Sequence, residues 1–405
     1  MHILFITDNF PPETNAPATR TYEHCKYWIS KGHKVTVITC APNFPIGKVY
    51  EGYKNNLIQK EDIDGINVIR VWSYISANKR FVRRTLDFMS FAMSSFFGGL
   101  FVKNVDVIVA TSPQFFTTIS GYLLSIFKRK PWVFELRDIW PESIKAVSPG
   151  LANSRLLVEF EKLEKMLYRK SDLIISVTDA FKRNLISRGS DGDKIGIVKN
   201  GANLSLYQPR EKDQSLIDQY KLNDKFVIGY IGTHGLAHKL DIFLDYAKNT
   251  AEKDVQFVFI GAGAEKGTLV RTAKKMELDN VLFLDSIKKE EIPAHLSIMD
   301  VALVPLRKSE LFKTVIPSKI FETASMNIPI LLGVEGESKE IIETYHAGLC
   351  FEPESLEDFD IKLKELKNNK EEYRACQEGG KKLAVDFDRN KMAEKMENYL
   401  LDLIS

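Results

Sequence analysis

A lysine and a glutamate three positions apart, Lys319 and Glu322, stand at the start of a helical pattern that Pro317 introduces. At that spacing two side chains share one helix face. A lysine near the positive end of a helix suits a phosphate group, and a carboxylate one turn later accepts hydrogen bonds from the two vicinal hydroxyl groups of a ribose. The pair therefore predicts a nucleoside diphosphate site. The alternative is an intrahelical ion pair on a solvated face.

A second candidate group follows the apolar run Trp132–Glu135. Asp138 comes directly after this predicted strand, where residues of a ligand-binding crevice sit, and the adjacent Arg137 would keep it ionised. Asp138 is thus a candidate to orient or deprotonate a hydroxyl group, or to stabilise a cationic centre. Glu142 is a second carboxylate candidate, and Trp140 could face a sugar or pack in the core. A structural Arg–Asp pair is the alternative.

The segment Asn15 to Thr19 lies between the first predicted strand and the first predicted helix, on the same side as the crevice. Asn15 and Ala16 are candidates for a close contact with a diphosphate or an acceptor. His24, His33 and His346 have no spacing that suggests partners and are expected to be ordinary histidines.

We expect no metal centre. Asp-x-Asp strings occur at 62–64, 191–193 and 386–388, but the first two read as turns and the third lies near the last helix. The four cysteines are scattered without a Cys-x-x-Cys pair, which favours neither a zinc site nor a disulfide framework and fits a reducing cytosol. A diphosphate would then be neutralised by fixed positive groups.

Strand-like and helical runs alternate along the whole chain, which predicts parallel sheets covered on both faces. A polar stretch at 208–224 interrupts the alternation and is the best candidate for a linker. We therefore expect two doubly wound, Rossmann-like α/β domains that face a crevice, at 1–207 and 208–387, with a last helix at about 388–405 that packs back on the first domain. The predicted strands are Ile3–Thr7, Val35–Thr39, Asn67–Val71, Val105–Ala110, Trp132–Glu135, Leu173–Val177, Lys194–Lys199, Phe226–Ile231, Gln256–Ile260, Val281–Leu284, Val301–Val304 and Ile328–Leu332.

Four segments in this order resemble family 4 glycosyltransferases of the GT-B architecture. They are the Asp8–Glu13 turn ending in Pro-Pro-Glu, the Val198–Asn203 segment, the Gly261-Ala262-Gly263-Ala264-Glu265 turn, and the helix and strand from Phe321 to Leu331. More narrowly, the segments 134–142, 230–238 and 317–319 resemble the N-acetyl-L-fucosaminyl transferases of O-antigen and capsule assembly.

The resemblance implies that the domain at 1–207 binds the acceptor and that the domain at 208–387 binds the nucleotide sugar. It implies donor-binding roles for a set of residues in the second domain. Thr314 stands where the family has a glutamate, and Thr233 and His238 stand where it has phosphate-binding Arg and Lys, with Lys239 one place beyond. The implied donor-binding residues are Lys319, Glu322, Ser318, Thr314, Gly232, His238, Lys239, Gly261 and Gly263.

The function implied is retaining, metal-independent transfer of a sugar from a UDP-sugar, such as an N-acetylated deoxyhexose like L-FucNAc, to a polyprenyl-diphosphate-linked saccharide of a bacterial surface polysaccharide. No cofactor is expected besides the nucleotide sugar. The alternatives are a UDP-sugar epimerase of the same architecture and a non-catalytic nucleotide-sugar-binding protein. A net charge of +2 argues against nucleic-acid binding by bulk charge.

Residues 79–130 predict attachment to an anionic membrane surface. Two apolar runs, at 88–102 and 115–127, are flanked by basic residues at 79–84, 103 and 128–130. The first run is shorter than the ~20 residues that a spanning helix needs. With no signal peptide visible, the expected location is the inner face of the cell membrane. Two core-packed helices with solvated ends are the alternative.

Overall fold

The computed structural model describes residues 1–44, 47–76, 81–112, 114–140 and 155–405. These residues form two compact units, one of 1–199 with 389–405 and the other of 200–388. Each unit is a parallel sheet flanked by helices, which confirms the two doubly wound α/β domains.

The sheet of the first unit has eight strands among the described residues, in the order β3-β4-β2-β1-β5-β6-β7-β8. All neighbours are parallel except β3 and β4. The strands are β1 (His2–Ile6), β2 (Lys34–Cys40), β3 (Ile58–Ile63), β4 (Ile66–Val71), β5 (Val107–Thr111), β6 (Trp132–Leu136), β7 (Leu173–Ser176) and β8 (Ile195–Ile197). The helices are α1 (Ala16–Ser30), α2 (Phe81–Leu100), α3 (Phe115–Lys128), α4 (Arg155–Lys170), α5 (Asp179–Ser187) and, from the end of the chain, Arg389–Ile404.

The central strands are apolar along their whole length because helices cover both faces of the sheet. In β1, Ile3 and Phe5 point into one hydrophobic cluster, whereas Leu4 and Ile6 point into the other. This is the two-residue period of a strand. The sheet therefore separates two cores and presents its carboxyl-terminal edge to the loops that follow β1, β2, β4, β5 and β6.

The second unit contains a six-stranded parallel sheet in the order β11-β10-β9-β12-β13-β14. Its strands are β9 (Phe226–Ile231), β10 (Val255–Ile260), β11 (Val281–Leu284), β12 (Val301–Pro305), β13 (Ile330–Gly333) and β14 (Gly348–Cys350). Its helices are α6 (Gln214–Tyr220), α7 (Asp241–Asn249), α8 (Lys266–Lys275), α9 (Ile292–Ser297), α10 (Lys319–Ser325), α11 (Glu337–Tyr345), α12 (Leu356–Asn368) and α13 (Lys370–Asp386).

The unit boundary falls at 199/200 rather than at 207/208. Ala202 and Tyr207 are buried in the hydrophobic core of the second unit, and so is Leu222. The polar stretch 208–224 lies inside that unit and contains α6, which packs on the same core through Leu216 and Ile217.

The last helix, α14 (Arg389–Ile404), belongs to the first unit. The Trp28 indole of α1 donates to the Ala393 carbonyl at 3.0 Å, and Arg389 lies 3.2 Å from the Glu23 carboxylate.

Two details differ from the sequence-based expectations. Asp62 is not in a turn but in the partly exposed edge strand β3, and only Asp64 and Gly65 form the turn. The helix expected to start at Pro317 starts at Lys319, with Ser318 at its cap. The 191–193 string does form a turn, capped by the Asp191 carboxylate.

Candidate functional site

Lys319 lies beside the end of β9 in the second unit. Its ammonium is 3.9 Å from the centroid of the Tyr230 ring, and a Cβ added to Gly232 would stand 2.8 Å from the same nitrogen. Burial lowers the pKa of Lys319 to about 7, against the opposing effect of Glu322. An anion bound here would restore the charge that burial disfavours.

Lys319 and Glu322 both line one small cavity of about 20 Å³, whose other walls are mostly apolar residues of β9, β12 and α9. Their common placement follows from the i,i+3 spacing on α10. The two residues singled out by spacing are thus brought together, with a cationic and an acceptor-only group on one helix face.

Two glycine-containing loops meet next to Lys319. Gly261 has φ of +144°, and a Cβ there would lie 2.0 Å from the Gly232 carbonyl oxygen. A Cβ on Gly263 would lie 2.2 Å from the His234 carbonyl oxygen. The loops after β9 and β10 therefore touch backbone to backbone, an approach that requires glycine.

His238 and Lys239 occupy the short 3₁₀ turn after β9. The His238 ring lies 5.7 Å from the Tyr230 ring, and its Nδ1 is 3.4 Å from the Pro305 carbonyl oxygen. Burial, followed by the charge of Lys319, lowers the pKa of His238 to about 4. Lys239 ion-pairs with Asp241 at 2.7 Å, so part of its charge is already compensated.

Thr314 and Ser318 lie just before α10. The Thr314 hydroxyl donates to the Leu311 carbonyl at 2.7 Å, inside a 3₁₀ turn. Ser318 makes no side-chain capping hydrogen bond. Its carbonyl accepts a hydrogen bond from the Phe321 amide at 3.1 Å, within the first turn of the helix.

Three further residues at this place were not among the site residues expected from the sequence. They are Tyr230, His234 and Lys266. His234 is fully buried, neither ring nitrogen has a hydrogen-bond partner, and burial with the nearby lysine charges lowers its pKa to about 4. Lys266 donates to the Gly261 and Leu284 carbonyls at 2.8 and 2.7 Å. The sequence offered one signal for His234, which is its position between Gly232 and Gly235 after a predicted strand.

In the first unit, Arg137 and Asp138 follow β6 as expected. The Ser112 hydroxyl accepts from both backbone amides, at 2.8 and 3.3 Å, and fixes this turn. Burial lowers the pKa of Arg137 to about 10, and the strongest opposing charge is Glu135. Glu135 is itself buried and paired with Arg20 at 3.0 Å. The Arg137 guanidinium donates to the Pro17 carbonyl at 3.3 Å.

Trp140 packs in an aromatic cluster with α3 and α4. Its ring is stacked on Phe115 at 4.7 Å and lies 4.9 Å from Phe160. This is the packing alternative that the sequence left open. Glu142 lies outside the described residues.

Asn15 and Ala16 begin α1. The Asn15 carboxamide oxygen caps the helix by accepting from the Ala18 amide at 2.9 Å, and its nitrogen donates to the Asn9 side chain at 2.6 Å. Asn15 also lines a cavity of about 160 Å³ at the carboxyl-terminal edge of the first sheet. Asp8, Glu13, Arg84, Asp87 and Gln114 share this cavity.

Among the described residues, one group of side chains is dense enough to hold a metal ion. It consists of His346 and of Glu372 and Cys376, which lie four residues apart on α13. His346 is ion-paired with Glu372 at 3.0 Å. The three Asp-x-Asp strings take no part in it.

Comparisons with known proteins cover both units. Residues 17–206 match the family model "Glycosyltransferase Family 4", and residues 212–383 match "Glycosyl transferases group 1". The putative colanic acid biosynthesis glycosyl transferase WcaI of Escherichia coli (strain K12) is 25% identical over 369 residues, which are 88% of this chain and 90% of the relative.

Solved structures of similar fold cover nearly the whole chain. The Anabaena Alr3699/HepE structure in complex with UDP and glucose has a TM-score of 0.73 at 16% identity, over 99% of this chain and 100% of that one. WaaG, a glycosyltransferase involved in lipopolysaccharide biosynthesis, has a TM-score of 0.70 at 13% identity, over 98% and 99% of the two chains. These similarities confirm the GT-B fold.

Proposed function

We propose that this GT-B glycosyltransferase, which joins a family 4 domain to a group 1 domain, transfers a sugar from a UDP-sugar to a lipid-linked saccharide in polysaccharide biosynthesis. The observation that carries the proposal is the placement of Lys319 against Tyr230 and Gly232, with Glu322 on the same helix face. The UDP complex of HepE and the biosynthetic role in the name of WcaI support it.

Donor binding would use the Lys319 ammonium, whose charged form burial disfavours. The Lys319 ammonium, with its lowered pKa, contributes to diphosphate binding because an anion favours its protonated form. The Glu322 carboxylate can accept hydrogen bonds from both ribose hydroxyls. Gly232 keeps a side chain away from the Lys319 ammonium, and Gly261 and Gly263 let the two loops pack backbone to backbone beside it.

The chemistry we propose is metal-independent and retains the anomeric configuration. Fixed positive groups such as Lys319 stabilise the departing diphosphate, which is where charge develops in the transition state. Asp138, in the turn after β6 that Ser112 fixes, orients the acceptor hydroxyl or stabilises the oxocarbenium-like centre. The narrower sequence resemblance makes an N-acetylated deoxyhexose such as L-FucNAc the first donor to test.

An exposed apolar face on α2 and α3 supports a lipid-linked acceptor. The exposed residues recur at helical spacing on α2 and continue into α3, and Phe101 and Phe127 are 77% and 66% exposed. Exposed basic residues flank this face at Arg83, Lys103 and Arg129. No helix of the described residues is long and apolar enough to cross a bilayer. The face consists of Leu86, Met89, Met93, Phe97, Phe101, Leu123, Ile126 and Phe127.

The proposal includes peripheral attachment to the inner face of the membrane, which this apolar face supports. An apolar surface rimmed by cations suits an anionic leaflet, because burial of the aromatic side chains and attraction to the lipid headgroups act together. Lys79 and Arg80, which belong to the same basic cluster in the sequence, lie outside the described residues.

The test is release of UDP from a panel of UDP-sugars, with and without polyprenyl-diphosphate saccharides extracted from membranes, in excess EDTA. We expect acceptor-dependent UDP release that EDTA does not abolish. Interconversion of the UDP-sugar without an acceptor would identify an epimerase, and binding without turnover of any donor would identify a non-catalytic protein. Complete loss in EDTA with rescue by Mg²⁺ would overturn the metal-independent site.

A further inference from the structure

The cavity of about 160 Å³ in the first unit is here named the carboxylate cavity. Its lining includes Asp8, Glu13, Asp87, Arg84, Phe88 and Gln114. A single bound water needs roughly 10–15 Å³ of cavity volume, so this cavity has room for on the order of ten non-hydrogen atoms. That is the size of a monosaccharide rather than of a single ion.

Glu13, which lines this cavity, has one carboxylate oxygen without a hydrogen-bond partner. Its Oε1 accepts from the backbone amides of Asn43 and Phe44, at 2.7 and 2.9 Å. Its Oε2 has no hydrogen-bond partner, although the residue is only 3% exposed. A buried acceptor without a partner destabilises the folded protein. A ligand that donates a hydrogen bond to Oε2 would remove that cost.

The other two carboxylates are held in place by the protein. The Ser73 hydroxyl donates to Asp87 Oδ1 at 2.9 Å, and the Ser76 amide donates to Asp87 Oδ2 at 3.3 Å. Asp8 interacts with the side chains of Asn9 and Gln114. An ionised carboxylate is an acceptor with up to four lone-pair positions, so each of these groups can accept further hydrogen bonds.

The charges of the side chains that line the cavity disfavour an anionic ligand. Among the described residues that line the cavity, three carboxylates face one cation, Arg84, whose guanidinium lies 5.2 Å from the centroid of the Phe88 ring. Arg70, which is not among these lining residues, also acts on Glu13 and lowers its pKa. Burial raises the pKa of Asp8 to about 6 and that of Glu13 to about 7. The charge of Asp87 further raises the pKa of Asp8, and the charge of Asp8 further raises the pKa of Glu13. A further negative charge would add to this repulsion.

Building on the proposed function, we infer that the carboxylate cavity binds the terminal sugar ring of the acceptor and selects a neutral, hydroxyl-rich sugar over a uronic acid. The hydroxyl groups of the sugar donate to Glu13 Oε2 and to Asp87. Phe88 offers an apolar surface to the ring. The carboxylate of a uronic acid is rejected by charge, while a neutral sugar of the same size is accepted.

The experiment measures binding of methyl β-glycosides of neutral hexoses and of methyl β-D-glucuronide to the full chain by saturation-transfer NMR. At pH 7.5 we expect a neutral glycoside to bind at least about tenfold more tightly than the glucuronide. At pH 5.5 the preference should shrink, because Glu13 and much of Asp8 are then protonated while the glucuronide stays ionised. Failure of every neutral hexoside to bind, or equal binding of the glucuronide at pH 7.5, would overturn the inference.

Two variants test the assignment to this cavity. Glu13→Gln keeps an oxygen for the Asn43 and Phe44 amides, and Asp87→Asn is a second variant on another wall. Each variant should bind the neutral glycoside several-fold more weakly than the wild type does. Each should also show a smaller preference for the neutral glycoside over the glucuronide. Glu159→Gln, at an exposed carboxylate on α4, is the matched control and should bind like the wild type. Variants that fold and bind with unchanged preference would place the sugar elsewhere.

UDP affinity measured on the same samples separates this inference from the proposed function. Loss of UDP binding with the glycoside preference intact would contradict the donor site but not the carboxylate cavity. Normal UDP binding without glycoside preference would contradict the cavity alone.

Discussion

The Lys319 ammonium lies over the face of the Tyr230 ring, 3.9 Å from its centroid. The tyrosine is fixed in turn, because its hydroxyl donates to the Thr233 carbonyl at 2.7 Å. An aromatic face attracts a cation, but it cannot replace the water that burial removes, and the pKa of Lys319 falls to about 7. An anionic ligand beside Lys319 would favour its protonated form.

Replacing Lys319 by alanine should weaken UDP binding roughly 10- to 100-fold, because a hydrogen bond to a charged group contributes about 1.5–3 kcal/mol. Isothermal titration with UDP measures the change. Lys274→Ala, at an exposed lysine in the last turn of α8, is the matched control and should leave the affinity unchanged. A folded Lys319→Ala protein with wild-type affinity would remove Lys319 from the donor site.

The affinity for UDP should decrease as the pH rises from 7 to 9. Below pH 7 the Lys319 ammonium is charged before UDP arrives, whereas above pH 7 binding must take up a proton. The unfolding free energy of the protein without UDP should instead increase over this pH range. The folded-state pKa lies below the unfolded value, so Lys319 contributes a rise in unfolding free energy as the pH goes from 7 towards 10.5.

Titrations of UDP at several pH values measure this dependence, and Lys319→Met should flatten it. The α-phosphate of UDP stays ionised throughout this pH range, and any contribution from titration of the terminal phosphate is the same for both proteins and is subtracted by the comparison. An equally steep profile in Lys319→Met would assign the dependence to another group.

Gly261→Ala should destabilise the second unit and abolish UDP binding. The new Cβ would lie 2.0 Å from the Gly232 carbonyl, at a φ of +144° that disfavours a side chain, so both loops beside Lys319 must move. Thermal unfolding and UDP titration check this. Gly267→Ala is the control, since its Cβ meets only the far end of the Arg271 side chain at 3.4 Å. Equal behaviour of the two variants would contradict the close loop contact.

The repeated alternation of apolar strands and amphipathic helices was enough to predict the fold, because strands buried on both faces are apolar throughout. The edge strand β3 was not predicted, because it is not buried on both faces and lacks the apolar run by which the other strands were recognised. Its sequence Ile-Gln-Lys-Glu-Asp-Ile is polar, since an edge strand is partly exposed. The unit boundary was missed because packing of Ala202 and Tyr207, rather than local polarity, determines it.

The sequence also predicted that Lys319 and Glu322 share a face, since helical spacing alone decides that. It could not predict Tyr230 or Lys266 beside them, because those residues arrive from β9 and α8 through the tertiary fold. The same applies to the carboxylate cavity. Glu13 and Asp87 are far apart in the chain, and only the order of the strands in the sheet brings the loop after β1 and helix α2 together.

Asp138→Asn should lower kcat far more than it weakens donor binding, because the role proposed for its carboxylate is exerted in the transition state. Steady-state kinetics with a donor and an acceptor that the UDP-release assay shows to be active, together with UDP titration, separates the two effects. Asp193→Asn, in an exposed turn of the same unit, serves as the control. A near-normal kcat in a folded Asp138→Asn protein would make the residue structural.

The apolar face on α2 and α3 should attach the protein to anionic membranes, and two kinds of variant separate its contributions. Each Phe moved from water into the interface contributes roughly 1.5–3 kcal/mol, and each basic residue near an anionic leaflet about 1 kcal/mol. Phe97→Ser with Phe101→Ser should therefore abolish flotation with anionic liposomes. Lys103→Glu with Arg129→Glu should reduce it and remove its salt dependence, because exposed charges are screened within about 8 Å at physiological ionic strength.

Arg84 is left unchanged in these variants because it also lines the carboxylate cavity. Ile361→Ser provides the control, since Ile361 is 54% exposed on the second unit, away from the apolar face. UDP affinity should stay at the wild-type value throughout, which shows that the donor site is intact. If the double Phe variant floats like the wild type while the charge variant does not, attachment is electrostatic alone. If both float normally, this face is a solvated surface and the acceptor need not be presented by a membrane.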